Sequence, residues 1–155
     1  MKFIADAMLG RLAKWLRILG FDVLYDPALE DRQIIRIARD QERTILTRDT
    51  RMLQNRSIGS IIFIKSDDVF QQLPELKEKV NFSATDRAVR CVVCNGRLHA
   101  VSEKGELKDL IPEYVYYNFE EFMKCSGCCR IYWKGSHYEK IRERLRNMLR
   151  GELEN

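Results

Sequence analysis

The residues with the clearest chemistry are four cysteines in two pairs, Cys91 with Cys94 and Cys125 with Cys128. A gap of two residues lets both sulfurs of a pair face one ion. Two such pairs supply the four thiolates that structural zinc prefers. Unbound thiols fit this doubled spacing poorly, and redox chemistry needs only one pair. We therefore expect one structural zinc ion.

The residues beside these pairs carry less specific signals. Asn95 and Gly96 tolerate the positive φ that a metal-binding turn often requires, whereas Cys129 follows the second pair, where glycine would be more comfortable. We expect Cys129 to be a non-ligand. His137 could bind a metal, contact phosphate or simply pack near the last helix, and His99 is expected to be structural or on the surface.

A second set of chemically capable residues consists of aspartates that follow short apolar segments or open the next helix. They are Asp6, Asp31, Asp49, Asp67 and Asp68. Carboxylates gathered at one edge repel each other unless a cation is present, and hard oxygen ligands suit Mg²⁺ or Mn²⁺. Such ions activate water and stabilise the leaving oxygen in phosphodiester cleavage. Nearby cations could attract a polyanion: Arg11, Lys14, Arg17, Arg48 and Arg51.

Each aspartate also has a simpler explanation. Asp67 could cap the helix that follows it. Asp49 could merely pair with Arg48 or Arg51. Asp6 is harder to explain in this way, because a carboxylate directly after a buried strand is costly unless it binds something.

The elements that must position these aspartates alternate between strands and helices. Strands are predicted at 2–5, 21–25, 44–47 and 61–64. Helices are predicted from Leu9 to Gly20, from Glu30 to Glu42, and from the Asp67-Asp68 turn to about Val80. This alternation indicates an α/β fold with a parallel sheet covered by helices. Ligands of such sheets gather at the carboxyl ends of the strands, where the aspartates lie.

The second half of the chain has a different composition. We expect a domain over 1–82, a polar linker at 83–90, and a zinc ribbon with a basic C-terminal helix over 91–155. A strand pair or hairpin over 115–122 would fill the space between the cysteine pairs. The last helix, 138–150, could grip RNA or present a solvated face. Replacement of three arginines would distinguish these alternatives: Arg142, Arg146 and Arg150.

The composition of the 155-residue chain places it among globular proteins, with 45% hydrophobic and 32% charged residues. No apolar run approaches the length of a membrane span, and Asp6 inside the first apolar stretch argues against a secretory signal. Five cysteines then indicate metal binding in a reducing cytoplasm. A net charge of +4 permits nucleic-acid binding without demanding it.

Several segments together resemble the Mut-seven C-terminal-type RNase domain, a PIN-like nuclease family with a zinc ribbon. They are FIADAMLGRLAKWLRILGFDV, EDRQIIRIA, RTILTRDTRML, CVVCNGRL and CSGCCRIYWKGSHY. The resemblance spans nearly the whole chain and implies a PIN-like sheet with metal-dependent RNA cleavage.

The same resemblance implies roles for individual residues. Asp6, Asp31 and Asp49 correspond to the family's acidic residues, with Asp67 or Asp68 as a fourth. The paired cysteines correspond to its zinc ligands, and Cys129 departs from the expected glycine. Two other functions stay open: a non-catalytic RNA- or ribosome-binding protein with a decayed nuclease fold, and an adaptor held by a protein partner.

Overall fold

A computed structural model describes residues 1–55, 59–82 and 90–150, apart from the side chains of Arg142 and Arg150. The chain forms two units, Met1–Asn95 and Gly96–Asn155. Except for Arg90, the expected linker at 83–90 lies outside the described residues. No helix in the described ranges is both long enough and apolar enough to cross a bilayer.

The first unit is built on a parallel four-stranded sheet. Its strands are β1 (Lys2–Ala5), β2 (Asp22–Leu24), β3 (Thr44–Thr47) and β4 (Ile61–Phe63). They lie in the order β2-β1-β3-β4, and every pairing is parallel. Strand β2 lies on one side of β1, and the next strands along the chain, β3 and β4, lie on the other side. The strand order therefore reverses between β1 and β3.

Three helices accompany this sheet: α1 (Gly10–Ile18), α2 (Asp31–Asp40) and α3 (Val69–Lys79). Short 3₁₀ turns follow β1 at Ala7–Leu9 and β3 at Met52–Gln54. On one face, α2 buries Ile34 and Ala38 against Ile4 of β1 and Ile45 of β3. Helices α1 and α3 contact each other. The predicted α/β class with a helix-covered parallel sheet is therefore confirmed.

Helix ends in the first unit follow local chemistry. Gly20 adopts φ 93° after α1, a left-handed conformation that glycine allows and that ends a helix. At the start of α2, the side chain of Gln33 accepts a hydrogen bond from the Glu30 N–H at 2.8 Å. The cap of α3 is Asp68, whose Oδ1 accepts from the Phe70 N–H at 3.1 Å. The capping role considered for Asp67 is therefore wrong by one residue, because the helix begins at Val69.

The second unit contains an antiparallel sheet of three strands in the order β5-β6-β7. Its elements are β5 (Leu98–Ala100), α4 (Glu113–Asn118), β6 (Phe122–Cys125), β7 (Ile131–Trp133) and α5 (Ser136–Arg150). The strand pair expected over 115–122 is wrong, since the first half of that segment lies in α4 and only its last residue belongs to β6. The predicted last helix is confirmed, and its Leu145 and Met148 are buried.

Candidate active site and metal centre

Asp6 lies directly beyond β1 and is only 5% exposed. Its Oδ1 accepts a hydrogen bond from the Met8 N–H at 2.9 Å, which caps the 3₁₀ turn. Its Oδ2 accepts from the Arg48 N–H at 3.0 Å and from the hydroxyl of Thr47. The carboxylate is thus held between the ends of two adjacent parallel strands.

Thr47 is a site residue that the sequence reasoning missed. It is the last residue of β3 and is fully buried. Its hydroxyl donates to the Asp6 carboxylate and accepts from the Asp49 N–H at 2.9 Å. One hydroxyl therefore fixes both the side chain of Asp6 and the backbone of Asp49. The available signal was a hydroxyl residue at the end of a buried apolar strand, immediately before Arg48 and Asp49.

Asp49 is held by Arg51 in a two-pronged ion pair. Arg51 Nη2 lies 2.6 Å from Asp49 Oδ2, and Nε lies 3.1 and 3.0 Å from the two carboxylate oxygens. These hydrogen bonds hold the pKa of Asp49 below its ordinary value. The Arg51 side chain is 85% exposed, so solvent screens the pair. The simpler explanation of Asp49, pairing with Arg51, therefore describes its state in this structure.

Asp31 is exposed at the first position of α2. The guanidinium of Arg51, which pairs with Asp49, also responds to the charge of Asp31. Its hydrogen bonds to Asp49 raise the pKa of Arg51, and the negative charge of Asp31 adds to that rise. Asp67 is exposed, and Asp68 is occupied with its cap. Within the described ranges, no three carboxylates come close enough together to form a metal site.

The basic residues predicted to contact RNA have different environments. Arg11 and Lys14 are exposed on α1, whereas Arg48 is half-buried and its buried Nε has no hydrogen-bond partner in the described structure. Arg17 is only 3% exposed and donates to the carbonyls of Val23, Val92 and Val93. Its predicted role as an RNA contact is contradicted, because the side chain is buried and its Nε and Nη1 donate to carbonyls of the first unit.

In the second unit, His137 and Arg146 are exposed on α5. The side chains of Arg142 and Arg150 lie outside the described part. His99 is exposed on β5, in line with the surface position expected for it.

The four paired cysteines form the one cluster of candidate ligands that the described residues contain. The sulfurs of Cys91, Cys94, Cys125 and Cys128 all lie within 4.8 Å of one another. The Cys94 N–H points at Cys91 Sγ at 3.5 Å, and the N–H of Gly127 points at Cys125 Sγ at 3.3 Å. Such amides stabilise negative charge on sulfur.

This donor set fits a tetrahedral ion. Zinc–sulfur bonds of about 2.3 Å place the ligands of a tetrahedron about 3.8 Å apart, a spacing that small movements of these sulfurs would reach. Cys129 lies outside the cluster and adopts φ 59°, while Asn95 adopts φ 67° in the corresponding place after the first pair. The four cysteines can therefore bind a metal such as zinc.

Comparison with known proteins gives a match to a family described as the Mut7-C RNAse domain, over residues 1–145 of the 155. Neither the curated proteins nor the solved structures gave a match. An RNase domain family points to a ribonuclease in general, with RNA as its substrate. The resemblance carried by the sequence segments is thus confirmed, and the chain belongs to the Mut7-C RNAse domain family.

Proposed function

We propose that this chain is a divalent-metal-dependent ribonuclease with a PIN-like first domain and a structural zinc ion held by the four paired cysteines. The observation that carries the proposal is that the Thr47 hydroxyl connects the Asp6 carboxylate to the Asp49 N–H. This contact lies between β1 and β3, where the strand order of the parallel sheet reverses. Sheets of this kind bind ligands at that place. The family match supports the reaction class.

Asp6, Asp31 and Asp49 are the proposed ligands of Mg²⁺ or Mn²⁺, with Asp67 as an outer fourth carboxylate. Their oxygens suit these ions, and the Arg51 cation, which pairs with Asp49 and is also favoured by the charge of Asp31, already marks a place where positive charge is favoured. A divalent cation bound there supplies activation of water and neutralises charge on the leaving oxygen. Arg51 must then give up Asp49, which its exposure allows.

The roles of the other residues follow from their contacts. Thr47 and the Arg48 N–H hold the Asp6 carboxylate in one orientation. Arg48 is half-buried and lies next to Asp6 through its backbone N–H, so its guanidinium is the proposed donor to a phosphate oxygen at this edge. Exposed Arg11 and Lys14 on α1, and Arg146 and His137 on α5, would contact the RNA backbone.

The test is RNA cleavage with and without Mn²⁺ for the wild type, Asp6→Asn and Asp49→Asn. Each substitution keeps the shape but removes the anionic ligand, so cleavage should fall by at least about a hundredfold. The matched control is Asp40→Asn, an exposed aspartate at the other end of α2. Wild-type rates for both Asp6→Asn and Asp49→Asn would show that the proposed site is wrong.

One observation favours a second function, RNA binding without cleavage. Asp49 is neutralised by Arg51, and three carboxylates do not converge in the described structure. In that case the wild type should bind RNA with a steep salt dependence yet cleave none with any divalent ion. Replacement of Arg146 by Gln would then flatten the salt dependence.

A further inference from the structure

The first cysteine pair is fastened to the edge strand of the parallel sheet within the first unit. Asn95, one residue beyond Cys94, accepts a hydrogen bond from the Val23 N–H at 3.0 Å through Oδ1. Its Nδ2 donates to Asp22 Oδ1 at 2.8 Å. Strand β2 lies at the edge of its sheet, where amides otherwise lack partners. The Asn95 side chain, 7% exposed, therefore satisfies the Val23 N–H of this edge strand.

A second attachment comes from α1. Arg17 Nε donates to the Val23 carbonyl at 2.9 Å, and its Nη1 donates to the carbonyls of Val92 and Val93 at 2.9 and 3.1 Å. Both of these carbonyls belong to the turn between Cys91 and Cys94. One buried guanidinium thus joins the helix, the edge strand and the metal-binding turn.

Charge also links this network to the sulfurs. Asp22 is already engaged by Arg43 at 2.7 Å and by Arg90 at 3.4 Å. Burial lowers the pKa of Arg17, and the negative charges that oppose this fall are, in order, those of Cys91, Cys94 and Asp22. Negative charge on these two sulfurs would therefore favour the buried Arg17 cation, beside the hydrogen bonds that Arg17 makes to the metal-binding turn.

We propose that Arg17 and Asn95 are positioning residues through which metal binding at the cysteines stabilises the first unit, β2 and α1 above all. The inference rests on metal binding by the four cysteines and is independent of RNA cleavage. Metal binding fixes the turn whose carbonyls accept from Arg17 and, one residue beyond Cys94, the side chain that accepts from the Val23 N–H. By linkage, the contacts of Arg17 and Asn95 must in return strengthen metal binding.

The first experiment measures amide hydrogen exchange of the full chain, loaded with zinc and then stripped by a chelator. The Val23 N–H reports directly, because its partner is the Asn95 side chain. We expect exchange in β2 and the end of α1 to accelerate about tenfold or more on zinc removal. If exchange accelerates only in residues 96–150 while β2 and α1 are unchanged, the inference is overturned.

The second experiment uses Asn95→Gly, because glycine accepts the φ of 67° and removes only the side-chain hydrogen bonds. Glu42→Gly is a matched control at another positive φ, 52°, on the exposed surface. Competition with a chromophoric chelator should show zinc binding about tenfold weaker in Asn95→Gly and unchanged in Glu42→Gly.

A second pair of variants tests the charge. Arg17→Met should weaken zinc binding, whereas Arg17→Lys should recover part of the loss because it keeps the cation. The exposed Arg36→Met serves as control. If Arg17→Met fails to fold, the zinc affinity of Asn95→Gly alone tests the inference. An Asn95→Gly chain with faster β2 exchange but wild-type zinc affinity would show that the network is merely structural, and the inference would fall.

Discussion

The buried hydroxyl of Thr47 offers a sharp test of how the acidic site is held. Thr47→Val keeps the shape of the side chain but removes a donor to the Asp6 carboxylate and an acceptor for the Asp49 N–H. Loss of a hydrogen bond to a charged group costs about 1.5–3 kcal/mol, and the amide left without its partner adds to this. We expect the free energy of unfolding of the first unit to fall by about 2–4 kcal/mol.

Thr47→Ser is the matched control, since it keeps the hydroxyl and loses one buried methyl group, worth about 1 kcal/mol. Urea unfolding followed by the fluorescence of Trp15 measures the first unit, in a Trp133→Phe background that removes the second tryptophan. If the valine variant is no less stable than the serine variant, the hydroxyl does not hold the two strand ends together and the reasoning is refuted.

Two further predictions concern pH and metal content. Glu75 accepts from the N–H groups of Lys65 and Ser66 and pairs with Lys79; these contacts outweigh its burial and lower its pKa. Glu75→Gln should therefore lower the free energy of unfolding by about 1–2 kcal/mol at any pH above about 5. This difference from the wild type should become smaller as the pH falls through about 4, as measured by urea titrations at each pH. An equal loss at pH 3 would contradict this. Elemental analysis should find one zinc ion per chain, which Cys129→Ser keeps and Cys128→Ser loses. If Cys129→Ser loses the zinc and Cys128→Ser keeps it, Cys129 is the ligand and Cys128 is not.

Much of the first unit could be predicted because its strands are short apolar runs with clear ends. The bounds of β1 and β3 agree with prediction, and β2 is one residue shorter at each end. The helix α4 could not be predicted in this way, because VYY has strand propensity and the helix buries only Val115. The packing of Val115 against Leu107 and Phe122 in the second unit favours the helix over a strand.

The site was predicted in its residue types more than in its contacts. The spacing of the cysteines is local information, and it was enough to group four sulfurs. The burial of Arg17 depends on carbonyls about 75 residues away, which no helical pattern can reveal. Likewise, the sequence allowed either Arg48 or Arg51 to pair with Asp49, and only the backbone turn after β3 selects Arg51.

The hydrogen bonds of Asp6 limit how this residue can act as a ligand. An ionised carboxylate has about four lone-pair directions. Three of them are taken, by the Met8 N–H, the Thr47 hydroxyl and the Arg48 N–H. One direction is left, so Asp6 can offer a cation a single bond but cannot chelate it with both oxygens. Any ion at this edge must complete its coordination from other carboxylates, from solvent or from the substrate itself.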